Sequence, residues 1–175
     1  MDPTELRRNM NRQRRALPAR VTRRAGRAVA RRIWKLPPMR RARRIGMYLA
    51  VGGEVDCSTI LERVVSAGRE VYLPVLGGPA LRFARYRPGD PLISNRYGIG
   101  EPDVAPIHML SGRQLDVVLT PLVAFDGHGN RLGMGGGFYD RSFAFVHWRT
   151  AWQRPRLIGL AHEFQRVGNL RVEPW

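Results

Sequence analysis

The stretch Asp116-Val-Val-Leu-Thr120-Pro-Leu-Val-Ala-Phe-Asp126-Gly-His-Gly-Asn-Arg131-Leu-Gly-Met-Gly-Gly-Gly137-Phe-Tyr-Asp140 runs from an apolar, β-branched segment into a glycine-rich turn and then an aromatic–acidic pair. Residues 116–120 have the length and composition of a buried parallel strand. Open α/β sheets place their ligand sites at the C-terminal ends of such strands, which is where the glycines follow. Gly133, Gly135, Gly136 and Gly137 carry no Cβ atoms, so main-chain amides can approach an anion closely, and a helix predicted from Phe138 adds its N-terminal dipole. Neither a Gly-x-Gly-x-x-Gly nor a Walker spacing is present. The residues alone therefore leave two readings open, a phosphate cradle or a simple chain reversal.

Around this stretch the chain alternates. Residues 44–50 read as a strand, 58–67 as a helix capped near Asp56, and 70–75 as the next strand, a βαβ unit. Residues 81–86 give a further strand, 138–148 a helix, and 156–161 a last buried strand. The predicted class is α/β: a three-layer α/β/α arrangement with a mostly parallel sheet, preceded by two N-terminal helices. A chain of 175 residues with 43% hydrophobic content suits one domain over 1–175. Residues 87–111, rich in Pro, Gly and Asp, form a long excursion whose expected reason is function or flexibility.

The basic segment 5–35 holds Leu6, Met10, Leu17, Val21, Ala25, Ala28, Val29 and Ile33 at helical spacing, divided near Pro18. Its arginines, Arg7 and Arg14 among them, are expected on solvated faces. The formal net charge is +16, and Lys35 is the only lysine, so the arginine excess reads as chain-wide bias. Such a surface attracts polyanions non-specifically and favours an anionic substrate. No zinc-finger or RNP-like motif is present, so no specific nucleic-acid partner is expected. No apolar stretch reaches membrane-spanning length and no secretory h-region opens the chain, which predicts a soluble, cytoplasmic protein, with a monomer as the default. The single cysteine, Cys57, is expected to be a packing residue near a helix start. His108, His128, His147 and His162 show no metal-ligand spacing, and Asp126 reads as a turn former.

Three motifs stand out, Pro121-Leu-Val-Ala-Phe-Asp126, Gly129-Asn-Arg-Leu-Gly133 and Gly135-Gly-Gly-Phe-Tyr-Asp-Arg141. Leu6-Arg7, Arg14-Arg-Ala-Leu17, Tyr48-Leu-Ala50 with Glu54-Val55, Tyr72-Leu-Pro74, Asn95-Arg-Tyr-Gly-Ile-Gly-Glu-Pro102, and Gly159-Leu-Ala161 with Gln165 support them in order along the chain. Together these separated motifs resemble the 5-formyltetrahydrofolate cyclo-ligase (methenyltetrahydrofolate synthetase) family.

The resemblance implies ATP-dependent closure of 5-formyltetrahydrofolate to 5,10-methenyltetrahydrofolate by a carbon–nitrogen ligase that requires Mg2+. It also implies roles. Arg7, Arg131, Gly133, Met134, Gly135, Gly136, Gly137, Phe138 and Tyr139 would contact ATP within the loop 131–140 and its basic partner, with Arg131, Tyr139 and Asp140 catalytic. Asp140 would take the metal. Ala50, Glu54 and Tyr139 would contact the folate, with Met47, Tyr48 and Leu49 either lining the pocket or simply packing.

Three departures accompany the match. Pro3 stands where many members carry lysine, Met134 and Gly136 replace commoner loop residues, and members commonly continue past the position of Trp175 with an acidic residue and a closing strand. Two other readings stay open on sequence: an impaired folate- or nucleotide-binding relative, and a basic nucleic-acid-binding protein that keeps the fold.

Overall fold

The computed structural model describes residues 2–149 and 154–170; the chain end expected to differ from the family lies outside them. Helix α1 (Pro3–Arg15) starts where the Asp2 carboxylate accepts the Glu5 N–H at 3.1 Å, with proline in the first turn, and it buries Leu6, Met10 and Arg14. Helix α2 (Ala19–Ile33) begins after Pro18, as the sequence predicts. Arg14 departs from the prediction: it is 4% exposed, because three partners described below replace its water.

A short helix α3 (Pro37–Arg41) leads into β1 (Arg44–Gly46). Then come α4 (Ser58–Ser66), β2 (Glu70–Leu76) and β3 (Leu81–Tyr86). The excursion 87–111 folds rather than wandering: β4 (Leu92–Ser94) and β5 (Gly100–Pro102) form an antiparallel hairpin, followed by β6 (Leu110–Ser111). Strand β7 (Val117–Pro121) carries the opening motif, and a second hairpin of β8 (Ala124–Phe125) and β9 (Arg131–Leu132) leads to α5 (Phe138–Phe143) and finally β10 (Arg156–Leu160).

The main sheet has the order β10-β7-β1-β2-β3-β6. β10, β7, β1 and β2 are parallel, and β3 and β6 extend the β2 edge in antiparallel fashion. Alternation along the strands makes two packed faces. Val71, Leu73, Val117 and Leu119 point toward α2 and α4, while Tyr72 and Val118 point toward Leu115, Phe83 and Phe143 of α5. Gly46 faces this second side, where a Cβ would already lie 3.0 Å from Leu115 and 3.2 Å from Val118. A third cluster joins Leu6 and Met10 of α1 to Val123, Ala124 and Leu132 of the second hairpin. Asp126 fixes that hairpin. Burial opposes its ionisation, but the N–H groups of His128, Asn130, the Asn130 side chain and Leu170 hold its carboxyl down at about 2.

Two predicted elements are shorter in the structure. The strand expected over 44–50 ends at Gly46 because, past the Met47 N–H that bonds Tyr72 O at 2.9 Å, the chain turns into the loop 47–57. The helix expected over 138–148 is α only through Phe143 and continues as 3₁₀ over Ala144–Val146, with Phe143 wedged against Phe83 and Phe145. No helix of the described residues is long and apolar enough to cross a membrane.

Candidate functional site

From β1 the chain proceeds to β2 on one side of the sheet, while β7 and β10 lie on the other. The two directions part between β1 and β7, and the loops leaving the C-terminal ends of those strands form the walls of a crevice, the usual ligand position in such sheets. The loop 47–57 makes one bank. The second hairpin and glycine turn make the other, and α1 lies across both.

The first bank is tied down from several sides. Tyr48 Oη donates to Val55 O at 3.1 Å, and Val51 N–H donates to Glu54 Oε2 at 3.1 Å. Arg14 reaches in from α1, donating from Nε to Gly52 O at 3.0 Å and from Nη1 to Leu122 O at 3.4 Å, with Glu54 Oε1 3.6 Å from Nη1. His162 Nε2 lies 3.0 Å from Gly53 O. Gln165 Nε2 binds Leu122 O and Val123 O at 2.9 and 2.8 Å, joining the banks from behind. Gly53 has φ +79°, and a Cβ there would collide with the Arg14 carbonyl, so glycine lets α1 approach this closely. Burial raises the Glu54 carboxyl above its ordinary range, against the lowering effect of Val51 N–H and Arg14. Ala50 lies exposed on this loop, whereas Met47 and Tyr48 are core residues, so packing accounts for them. Burial pushes the Cys57 thiol up to about 12, leaving it inert at neutral pH.

The second bank is built from main chain and arginines. Arg7 Nε donates to Gly133 O at 2.8 Å, and Asn11, one turn along α1, donates from Nδ2 to Met134 Sδ at 3.5 Å while its buried Oδ1 has no partner among the described residues. Gly137 caps α5 in the left-handed conformation, φ +63°, which turns the chain so that Tyr139 and Asp140 face inward. Arg131 Nη2 meets Asp140 Oδ1 at 2.6 Å. The Tyr139 ring is partly buried and stacks on Phe143 at 6.3 Å between ring centres, and burial, then Glu54 and Cys57, raise its hydroxyl, with Arg131 opposing them. The first hairpin closes over the turn: Tyr97 meets Phe138 edge-on at 6.3 Å between ring centres, and the Arg96 guanidinium lies over both rings.

The sequence profile of the 5-formyltetrahydrofolate cyclo-ligase family matches residues 2–175. The chain belongs to the 5-formyltetrahydrofolate cyclo-ligase family. It is 40% identical over 166 residues to the 5-formyltetrahydrofolate cyclo-ligase of Escherichia coli (strain K12), covering 93% of this chain and 89% of the relative. It is 39% identical over 154 residues to the enzyme of that name from Haemophilus influenzae, covering 86% and 80%. The solved 5,10-methenyltetrahydrofolate synthetase of Aquifex aeolicus superposes with a TM-score of 0.83 at 28% identity, covering all of this chain and 85% of that one.

For a cyclo-ligase the layout has clear consequences. Arg7, Arg131 and the turn Gly133–Gly137 come together on one bank, Ala50 and Glu54 lie on the other, and Tyr139 and Asp140 sit in the first turn of α5, directly after the glycine turn. Because α5 has six residues, its dipole adds less than the sequence suggests, and amides and guanidiniums carry more of the positive potential. The structure also brings Asn11, Arg14, Arg96, Tyr97 and His162 to these loops, none of which the sequence reading assigned to the site. For Arg14 a signal existed: it extends the apolar stripe Leu6–Met10 at the next i+4 position, where a solvated arginine does not belong.

Proposed function

We propose that this cyclo-ligase phosphorylates the formyl oxygen of 5-formyltetrahydrofolate and then closes the ring, with the glycine bank holding ATP and the 47–57 bank holding the folate. The supporting observation is the pairing of Asp140 with Arg131 at 2.6 Å next to a glycine turn whose Gly133 carbonyl Arg7 holds at 2.8 Å, while Arg14 of the same helix α1 ties down the loop that carries Glu54. A formamide carbonyl is a poor electrophile and its oxygen a poor leaving group. Attack of that oxygen on the γ-phosphorus forms a P–O bond and breaks the β–γ anhydride, releasing ADP. N10 then adds to the activated carbon, loses its proton, and phosphate departs to leave the methenyl product.

Alignment and charge stabilisation do most of the work in such a transfer. Arg7 and Arg131, with the amides of Gly133–Gly137, balance charge on the transferring phosphoryl group. Glu54 accepts hydrogen bonds from pterin N–H groups, and Tyr139 packs on the folate. The donor set also suits Mg2+. Among the described residues no cluster of three or more His, Cys, Asp or Glu could enclose a metal, but Mg2+ is ordinarily held by one or two carboxylates together with phosphate oxygens, and Asp140 Oδ2 accepts no hydrogen bond from the described residues. Asp140 would hold the ion, which supplies further neutralisation of the phosphates.

The test is direct. Purified protein given 5-formyltetrahydrofolate should develop the near-ultraviolet absorbance of the methenyl product only with ATP and Mg2+ present; absence of that signal at high enzyme concentration sinks the assignment.

A further inference from the structure

Away from the crevice, α2 and α4 flank an open surface hollow of about 420 Å³ lined by Ala28 and the exposed side chains of Arg31, Arg32, Lys35 and Arg63. Its four polar lining residues are all cationic, and the chain's only lysine is one of them. Among the described residues none of the four is in an ion pair. Arg31 and Arg32 lie in the last turn of α2, where the helix dipole alone would favour cations. That does not explain Arg63, which a different helix brings to the same hollow. Its guanidinium is laid on the Trp34 ring, 4.5 Å from the centroid, and Arg69 lies 5.0 Å from the same centroid, anchored by bonds to Met39 O and Arg40 O at 2.6 and 2.8 Å. Stacking on a partly buried indole limits the freedom of Arg63, so less entropy is lost when it meets an anion.

We propose that this hollow binds a short run of linked phosphates. Four cations from two helices around one hollow match the dense charge of a short oligophosphate. Guanidinium pairs grip phosphate oxygens in bidentate fashion, while Lys35 adds a point charge. The Trp34 ring already carries two guanidiniums and the hollow's lining holds no aromatic residue, so recognition reads phosphates and ignores what they are attached to. The site stands apart from the glycine turn and does not depend on the reaction proposed for it.

The probe is inorganic tripolyphosphate, titrated calorimetrically into full-length protein at low salt, with the glycine turn filled by a non-hydrolysable ATP analogue. Wild-type protein should bind one further tripolyphosphate. The double variant Arg31→Ala/Arg63→Ala should lose about tenfold or more in affinity, as expected for charge-assisted contacts, and keep its cyclo-ligase turnover. A control variant, Arg23→Ala/Arg24→Ala, removes the same charge from exposed positions elsewhere on α2 and should change affinity less than about twofold. Equal loss in both double variants, or no binding by the wild-type protein, overturns the site in favour of diffuse attraction by the net charge. A single-stranded RNA that binds with equal sensitivity to both variants is likewise diffuse binding, whereas RNA competing with tripolyphosphate only through Arg31 and Arg63 identifies a nucleic-acid backbone as the source of the phosphates.

Discussion

Arg7 and Arg14 lie on one face of α1, about two turns apart, and grip opposite banks of the crevice: Arg7 Nε holds Gly133 O at 2.8 Å and Arg14 Nε holds Gly52 O at 3.0 Å. The helix therefore fixes the distance between the glycine turn and the loop that carries Glu54. Arg14→Lys keeps the charge beside Glu54 but cannot reproduce the fork that also reaches Gly52 O and Leu122 O. It should raise the folate KM by about tenfold, the loss of roughly one charged hydrogen bond, while the ATP KM changes little. Arg14→Ala instead leaves a buried carboxylate unpaired and should lower stability by about 3–5 kcal/mol. Steady-state kinetics and denaturant unfolding of the two variants separate positioning from bulk structure; equal increases in both KM values would remove the positioning role.

How much of this was readable in advance follows from where the side chains are pinned. The parallel strands were legible because β2 and β7 are buried on both faces, so their composition is dictated locally. The β8–β9 hairpin was not, since strands of two residues leave no periodicity, and its geometry is set by the Asp126 carboxylate binding across the turn and to Leu170. Likewise nothing local in Asn95-Arg-Tyr-Gly announces that Tyr97 meets Phe138. That depends on the Asn95 side chain organising its turn and donating to Glu101, which in turn accepts from Leu76 N–H. The glycine turn was legible as a turn at a strand end, but its partners on α1 come from more than a hundred residues away.

Arg131 and Asp140 are joined at 2.6 Å, so each sets the orientation of the other. Arg131→Ala should reduce kcat by about 10³-fold, the scale of an arginine that stabilises phosphoryl transfer. If Asp140 holds the ion as proposed, Asp140→Asn should shift the Mg2+ concentration needed for half-maximal turnover upward by about tenfold or more, because the amide carries no charge. Chelation with EDTA should stop the wild-type reaction and added Mg2+ restore it. A Mg2+ dependence that is unchanged in Asp140→Asn would place the metal elsewhere.

Burial raises the Glu54 carboxyl, so it takes up a proton at higher pH than an exposed glutamate. The sign follows. Between the ordinary carboxylate value and the raised one, the folded state holds more proton than the unfolded chain, so stability falls as pH rises through that window. Folate binding runs the other way, because only the ionised carboxylate accepts two N–H donors. Folate affinity measured by fluorescence should weaken as pH is lowered through the acid range, with the ATP affinity flat, and Glu54→Gln should be weak at every pH. An affinity profile in the wild-type protein as flat as that of Glu54→Gln would exclude Glu54 from the folate contact.

Gly53 and Gly68 both have positive φ, +79° and +69°, but only Gly53 is crowded: a Cβ there meets the carbonyl of Arg14, whereas nothing lies within 4 Å of one at Gly68. Comparing alanine at the two positions separates backbone strain from collision. Gly68→Ala should cost about 1 kcal/mol, the price of a left-handed alanine, with kinetics unchanged. Gly53→Ala carries the same strain and must also push α1 or the 47–57 loop aside, moving Arg14, Glu54 and the Gly53 carbonyl that His162 meets. It should therefore lose more stability than Gly68→Ala and raise the folate KM along with it. If the two variants unfold alike and Gly53→Ala retains normal folate kinetics, the loop tolerates the displacement and the close approach of α1 is not what shapes the folate bank.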